Sequence, residues 1–294
     1  MSPVLRWLFA PGFFASPPVH SALIAGGIAA LVSGVVGAFT VLRGQSYAGH
    51  ALADISVTGG SASFLLGISP LWGFAGTGLV AAGIMDMIGI RRPRGRDLAT
   101  GIVRGAGLGL GALFLYWDTT STNASGVTIT VLFGSLFTVS STVLPLVAAL
   151  SAVALGIVLI GYRPLLLSSV SAELAVVRGV RVRLVGMACL IAIALAVSLS
   201  ALTIGTILST ALLVGPAATA LRLTTRPGPA IALASAIAVA ATWLGVVLAY
   251  DSFTWPPNHT GWPVSFFIVA LIFAGYVLVQ FLTQRPGRVR AQEA

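Results

Sequence analysis

Lysine is absent from the 294 residues, and all sixteen basic side chains are arginine. That excludes a Walker A phosphate loop, whose lysine must reach the nucleotide phosphates, so any nucleotide chemistry belongs to a partner. Cysteine is limited to Cys189, inside an apolar run. An intrachain disulfide is therefore excluded, and the thiol is expected to pack as a small hydrophobe. Charge is scarce: 8% of residues carry it while 57% are hydrophobic, and mean hydropathy is +1.02. A soluble single-core domain of this length does not have that composition. Hydrolase signatures are missing as well, with no HExxH, no GxSxG and no paired carboxylates in a loop. The net charge of +9 raises nucleic acid as a partner. The arginines, however, fall in short clusters between apolar runs rather than on one face, a pattern that the positive-inside rule explains and nucleic-acid binding does not.

What is present is a succession of apolar runs long enough to cross a bilayer as helices at about 1.5 Å per residue. They cover Ser21 to Leu42, Tyr47 to Gly67, Leu71 to Ile90, Leu98 to Trp117, Val143 to Tyr162, Leu184 to Leu202, Gly205 to Leu223, Ala230 to Tyr250 and Val264 to Leu282. The fold class is thus an all-α polytopic membrane bundle of about nine spans, with eight or ten as neighbouring counts, and residues 1–294 read as one transmembrane domain. The segment 1–20 reads as an interfacial lead-in. Asn123 to Thr142, apolar but broken by Gly, Ser and Thr, reads as re-entrant or surface-lying rather than as a tenth span. With nine spans, Arg43, the cluster Arg91, Arg92, Arg94 and Arg96, the group Arg163 to Arg183, Arg222 with Arg226, and Arg285 to Arg290 all fall on alternate loops. Those loops are cytoplasmic by the positive-inside rule, which puts the N-terminus outside and the C-terminus inside. The opposite loops lack basic residues, and Trp72, Trp117, Trp255 and Trp262 stand where an aromatic belt is expected.

The chemistry concentrates in Arg43 to Gly60, RGQSYAGHALADISVTGG. His50 and Asp54 are four residues apart and share one helical face, and ionisable groups inside a membrane are functional candidates by default. An imidazole and a carboxylate suit a transition metal; a structural pair facing the bundle interior and a proton relay are the other readings. Counting from Arg43 sets the pair in the inner half of the bilayer. Asp86 and Arg104 lie at similar depth on neighbouring spans and are expected to form a structural ion pair, with a cytoplasmic gate as the sharper reading. Asp251 and His259 share an outer loop and His20 precedes the first span; all three read as solvated. Within the loop 163–183, SSVSAELAVVRGV reads as a short helix with Ser171 as N-cap, Glu173 in the first turn and Gly179 past the end, either a docking surface or a connector. Glycines at 26, 27, 34 and 37 in the first span and at 101, 105, 109 and 111 in the fourth allow close helix packing.

These segments together carry a family resemblance. VVGAFTVLRGQSYAGHALADISVTGGSASFLLG, RGRDLATGIV, LFGSLFTVS, SSVSAELAVVRGV and ALTIGTILSTALLVGPAATA, in that order and spacing, resemble the membrane permease subunit of bacterial ABC importers for zinc and manganese. The likeness runs from about residue 30 to 225. It implies a permease in the bacterial plasma membrane, not itself an enzyme, that takes up a divalent metal by alternating access. Zinc comes first, then manganese or iron, with no cofactor bound permanently. The implied partners are a cytoplasmic ABC ATPase dimer, an extracytoplasmic metal-binding protein and a second permease protomer. His50 and Asp54 would contact the metal, although the family commonly has these two residue types exchanged. The segment with Ser171, Glu173, Leu174, Arg178 and Gly179 would be the coupling helix, with Ser171 and Ala172 where the family has Asp-Pro. The rivals are a proton-coupled secondary transporter using His50 and Asp54 as its relay, and a scaffold without transport.

Overall fold

The computed structural model describes residue 13 and residues 16–89, 93–121, 125–134, 136–255 and 261–283. Residues 1–12, 14 and 15 of the expected lead-in over 1–20, with Arg91, Arg92, His259 and the C-terminal arginines, lie outside the described residues, and residues 17–20 belong to the first helix instead. Among those described there is no strand. The helices are α1 Pro17–Leu42, α2 Ser46–Leu66, α3 Pro70–Gly89, α4 Pro93–Ser121, α5 Ser125–Phe133, α6 Leu144–Ile160, α7 Tyr162–Val170, α8 Ala172–Val177, α9 Val182–Ile204, α10 Thr206–Leu223, α11 Pro227–Asp251 and α12 Val264–Thr283. Nine of the described helices match the apolar runs one for one. Seven, namely α1, α3, α6, α9, α10, α11 and α12, are both long and apolar enough to cross a membrane. The other two, α2 and α4, have the length, at 21 and 29 residues, but are more polar. They are also the helices that carry His50, Asp54 and Arg104, so by length and apolarity the described residues give seven candidate spans where the sequence leads one to expect about nine.

Proline and glycine set the ends. Proline in the first turn starts α1, α6 and α11, where its missing N–H costs nothing. The first span stops in a Schellman turn. The Gly44 N–H bonds the Val41 carbonyl at 3.0 Å and the Gln45 N–H bonds that of Thr40 at 2.8 Å, with Gly44 at φ 65°. The turn is only three residues long, so α2 begins directly beneath the end of α1.

α9 is the centre of the bundle, with Ala192 to Ala201 almost wholly buried. It runs on to Ile204, so the short outer loop expected between the runs ending at Leu202 and resuming at Gly205 is helix instead. One residue, Gly205 at φ 84°, separates it from α10. Gly134, at φ 77°, lies against that junction so closely that a Cβ on either glycine would meet the other segment's backbone. The Thr206 hydroxyl donates to the Val131 carbonyl at 3.2 Å. Over Asn123 to Thr142 the described residues form the nine-residue helix α5, which with Gly134 seals the α9–α10 junction, followed by two 3-10 turns; at about 13 Å α5 is too short to cross.

The first-span glycines are filled as expected, with Gly34 against the α11 backbone at Ser235 and Gly37 against the Leu213 carbonyl of α10. In α4, Gly111 meets Val57 and Thr58, whereas Gly105 and Gly109 face open space; Gly107 packs on Ile55. We expect Gly37→Ala to lower stability by about 1–3 kcal/mol, because the new methyl meets a backbone carbonyl that cannot yield. Gly109→Ala should leave it unchanged. Thermal melting of the two purified variants, followed by tryptophan fluorescence, checks the contrast.

Candidate metal pathway site

α2 enters the bundle with Gly49, Leu52 and Ala53 buried. Gly49 is seated over Leu213 and Ile193. That orientation turns Tyr47, His50 and Asp54 to the neighbouring face, where α4 arrives. α2 and α4 approach closely because Gly107 and Gly111 admit Ile55 and Val57, and the Thr58 hydroxyl donates to the Gly107 carbonyl at 2.6 Å. Arg104 lies about one turn before Gly107, and the same register brings it onto Asp54.

The Arg104 Nε donates to Asp54 Oδ2 at 2.6 Å, a charge-assisted bond. Its Nη2 is 3.3 Å from His50 Nε2, and the Tyr47 side chain is a further partner of the guanidinium. His50 Nδ1 lies 3.1 Å from Thr210 Oγ1 of α10. His50 Nε2 and Asp54 Oδ2 are 3.7 Å apart. The side chains of His50, Arg104 and Asp54 are 41%, 31% and 15% exposed, so the cluster opens to the surface of the single chain. Among the described residues, no three His, Cys, Asp or Glu side chains come together.

The expected pair of Asp86 with Arg104 does not form. Arg104 belongs to Asp54, and Asp86 Oδ2 faces Arg183 Nε of α9 at 3.6 Å. Helix facing decides the pairing: Asp86 sits on the side of α3 turned to α9, and Arg104 on the side of α4 turned to α2. His20 lies in the first turn of α1 rather than before it, and Asp251 is the last residue of α11. Thr210 escapes sequence reading because its only signal is a hydroxyl within ALTIGTILSTALLVGPAATA.

On the arginine-bearing loop, α8 forms as expected. Ser171 Oγ accepts from the Leu174 N–H at 3.2 Å, and Glu173 sits in the first turn. Past Arg178, Gly179 at φ 77° closes a second Schellman turn, its N–H bonding the Val176 carbonyl at 2.9 Å and the Val180 N–H that of Ala175 at 2.9 Å. Ala175 is buried, while Leu174, Val176 and Val177 are 58%, 62% and 84% exposed. α7 precedes it directly. Arg43 Nη1 reaches α7, donating to Ser168 Oγ at 2.5 Å and to the Leu165 carbonyl at 3.4 Å. The residue that ends the first span thus ties the α7–α8 loop to the turn from which α2 starts.

A bundle of apolar helices that holds a carboxylate, an imidazole and a guanidinium at a half-exposed helix interface has the form of a membrane permease. The chain belongs to the ABC 3 transport family, which it matches over residues 16–279. It is 31% identical over 244 residues to the manganese transport system membrane protein of Listeria innocua, covering 83% of this chain and 85% of that one. It is 31% identical over 234 residues to the manganese import system permease protein of Streptococcus parasanguinis, covering 79% and 82%. Among solved structures it resembles PsaBC from Streptococcus pneumoniae in complex with Fab. The TM-score is 0.78 at 28% identity, over 92% of this chain and 94% of that one. The resemblance drawn from the sequence motifs is correct.

Proposed function

We propose that this chain is the transmembrane subunit of an ATP-driven importer of manganese in the bacterial inner membrane. It works with a separate cytoplasmic ATPase dimer, an extracytoplasmic metal-binding protein and a second permease protomer. The observation that carries the reading is the convergence of His50 Nε2 and Asp54 Oδ2, 3.7 Å apart, on a half-exposed face of the bundle. The cargo named for the two manganese permeases above supports manganese ahead of zinc, reversing the order expected from the sequence.

A polar cluster opening onto lipid would be costly. We therefore take the open side of the site to face a second copy of the chain, which would bring its own His50 and Asp54 to a shared path. Two ligands per copy, one of them neutral, give the ion a contact that it can leave. Leu174, Val176 and Val177, carried by α8 on a loop outside the spans, are the surface offered to the ATPase, with Ser171, Glu173, Arg178 and Gly179 holding the helix in shape. When nucleotide closes the ATPase and moves α7 with α8, the bonds from Arg43 to Ser168 and Leu165 pass that motion to the 43–45 turn and so to the first turns of α2. The inward orientation of Arg43 and the arginine-rich loops, N-terminus outside and C-terminus inside, is part of the same proposal.

Reconstitution tests it. In proteoliposomes holding the permease, its ATPase and its binding protein, manganese uptake should require ATP and exceed zinc uptake. Uptake driven by a proton gradient with no ATPase present would overturn the reading in favour of a secondary transporter.

A further inference from the structure

We propose that Arg104 is a tethered cation that occupies the metal's place in the empty permease and is displaced by the ion as it passes. This rests on His50 and Asp54 lying in the metal path. A guanidinium has only N–H donors and never accepts a hydrogen bond. Where Arg104 Nη2 meets His50 Nε2 at 3.3 Å, the imidazole nitrogen must therefore present its lone pair. The ring proton is then on Nδ1, which donates to Thr210 Oγ1 at 3.1 Å. Nε2 is thus held as a free donor atom, pointed at whatever cation fills the site. The second atom held by Arg104 is Asp54 Oδ2, at 2.6 Å. These two atoms, 3.7 Å apart, are the pair that a metal at about 2.1 Å from each would bridge at an angle of about 120°. The guanidinium and the metal compete for the single lone pair of His50 Nε2, which both cannot hold at once, and for the same side of Asp54 Oδ2.

The charges fit this role. Without Arg104, the empty site would hold a lone carboxylate inside the bundle, a costly arrangement unless paired. With it, the formal charges of Asp54 and Arg104 cancel. An arriving divalent ion releases the guanidinium, which remains nearby as a positive charge pressing on the ion. The space fits as well: on α4 nothing stands within van der Waals reach of a Cβ at Gly105, and Gly101 has only the Tyr47 hydroxyl nearby. Within its own chain the long arginine side chain therefore has room to swing aside without repacking its helix. Arg104 so excludes cations too weakly charged to displace it and shortens the dwell of those that do.

The test is equilibrium binding of Mn2+ to the full-length permease in lipid nanodiscs, together with uptake kinetics of the complex with its ATPase. Arg104→Gln should bind Mn2+ about tenfold tighter or more, since a competing positive charge about 4 Å away is gone. Its uptake should show a lower KM and a lower kcat together, the mark of a cargo that enters easily and leaves slowly. Binding equal to or weaker than wild type would overturn the proposal and reduce Arg104 to a structural partner of Asp54. Should Arg104→Gln not yield monodisperse protein, Arg104→Lys takes its place, because a lysine keeps the charge but lacks the fork that holds both acceptors. Tighter Mn2+ binding by that variant supports the proposal, and equal or weaker binding overturns it. Asp54→Asn separates the two levels: if it loses Mn2+ binding while Arg104→Gln leaves it unchanged, only the tethered-cation role fails. If Asp54→Asn binds as wild type does, the metal-path reading fails and this proposal with it.

Discussion

Asp54→Asn should lower ATP-driven manganese uptake by about 100-fold or more while the protein remains monodisperse and present in the membrane at near-normal levels. The substitution keeps the shape of the side chain and removes its charge, and two consequences add. The metal loses the anionic member of the His50–Asp54 pair, and Arg104 loses the partner that holds it at 2.6 Å. The site then changes from neutral to positive. Unit charges 4 Å apart interact by about 4 kcal/mol at the effective dielectric of a protein surface, so a divalent ion now meets repulsion where it met a neutral site. His50→Gln is expected to be milder, at about 10-fold, because it removes a neutral ligand and leaves the local field unchanged. The order of the two effects is itself a test. Initial rates of manganese uptake into proteoliposomes, normalised to reconstituted protein, give both, and a larger loss for His50→Gln would contradict the electrostatic account.

The second large effect is expected far from the metal. Leu174→Asp puts a charge in the middle of the exposed apolar face of α8, beside Val177 at 84% exposure. Apolar anchors at the centre of an interface commonly carry about 2 kcal/mol or more each. Association with the ATPase should therefore weaken by about 30-fold, and ATP-driven uptake should fall with it. Because Leu174 does not pack on the bundle, Mn2+ binding to the permease and its thermal stability should remain as in wild type. Co-purification of the ATPase, measured alongside Mn2+ binding, separates coupling from cargo recognition. Retained co-purification with full uptake would mean that α8 is a connector and not the docking surface.

Much of the fold was legible because hydropathy and punctuation act locally. The long helices begin and end within a few residues of the apolar runs, and Ser171 and Gly179 marked the start and stop of α8. The seal over the α9–α10 junction was not legible in the same way. It depends on Gly134 and Gly205, far apart in sequence, both taking left-handed backbone where they meet. The candidate site was half legible. His50 and Asp54 stood out as ionisable groups four residues apart, since helical periodicity alone puts them on one face. Their partners did not, because helix facing is a tertiary property: Arg104 was paired by depth with Asp86, whereas the packing of Gly107 on Ile55 delivers it to Asp54. Thr210 and the bonds from Arg43 to α7 are likewise contacts between distant segments. The preference of manganese over zinc could not be read from one imidazole and one carboxylate, which accept both ions.

Contact of His50 and Asp54 with the transported ion can be read from pulsed electron paramagnetic resonance of Mn2+ bound to the permease in nanodiscs. Nuclear modulation from an imidazole nitrogen is expected in the wild type, lost in His50→Gln while some Mn2+ remains bound, and unaltered in His20→Gln. Modulation that persists in His50→Gln, or none in the wild type, would contradict it.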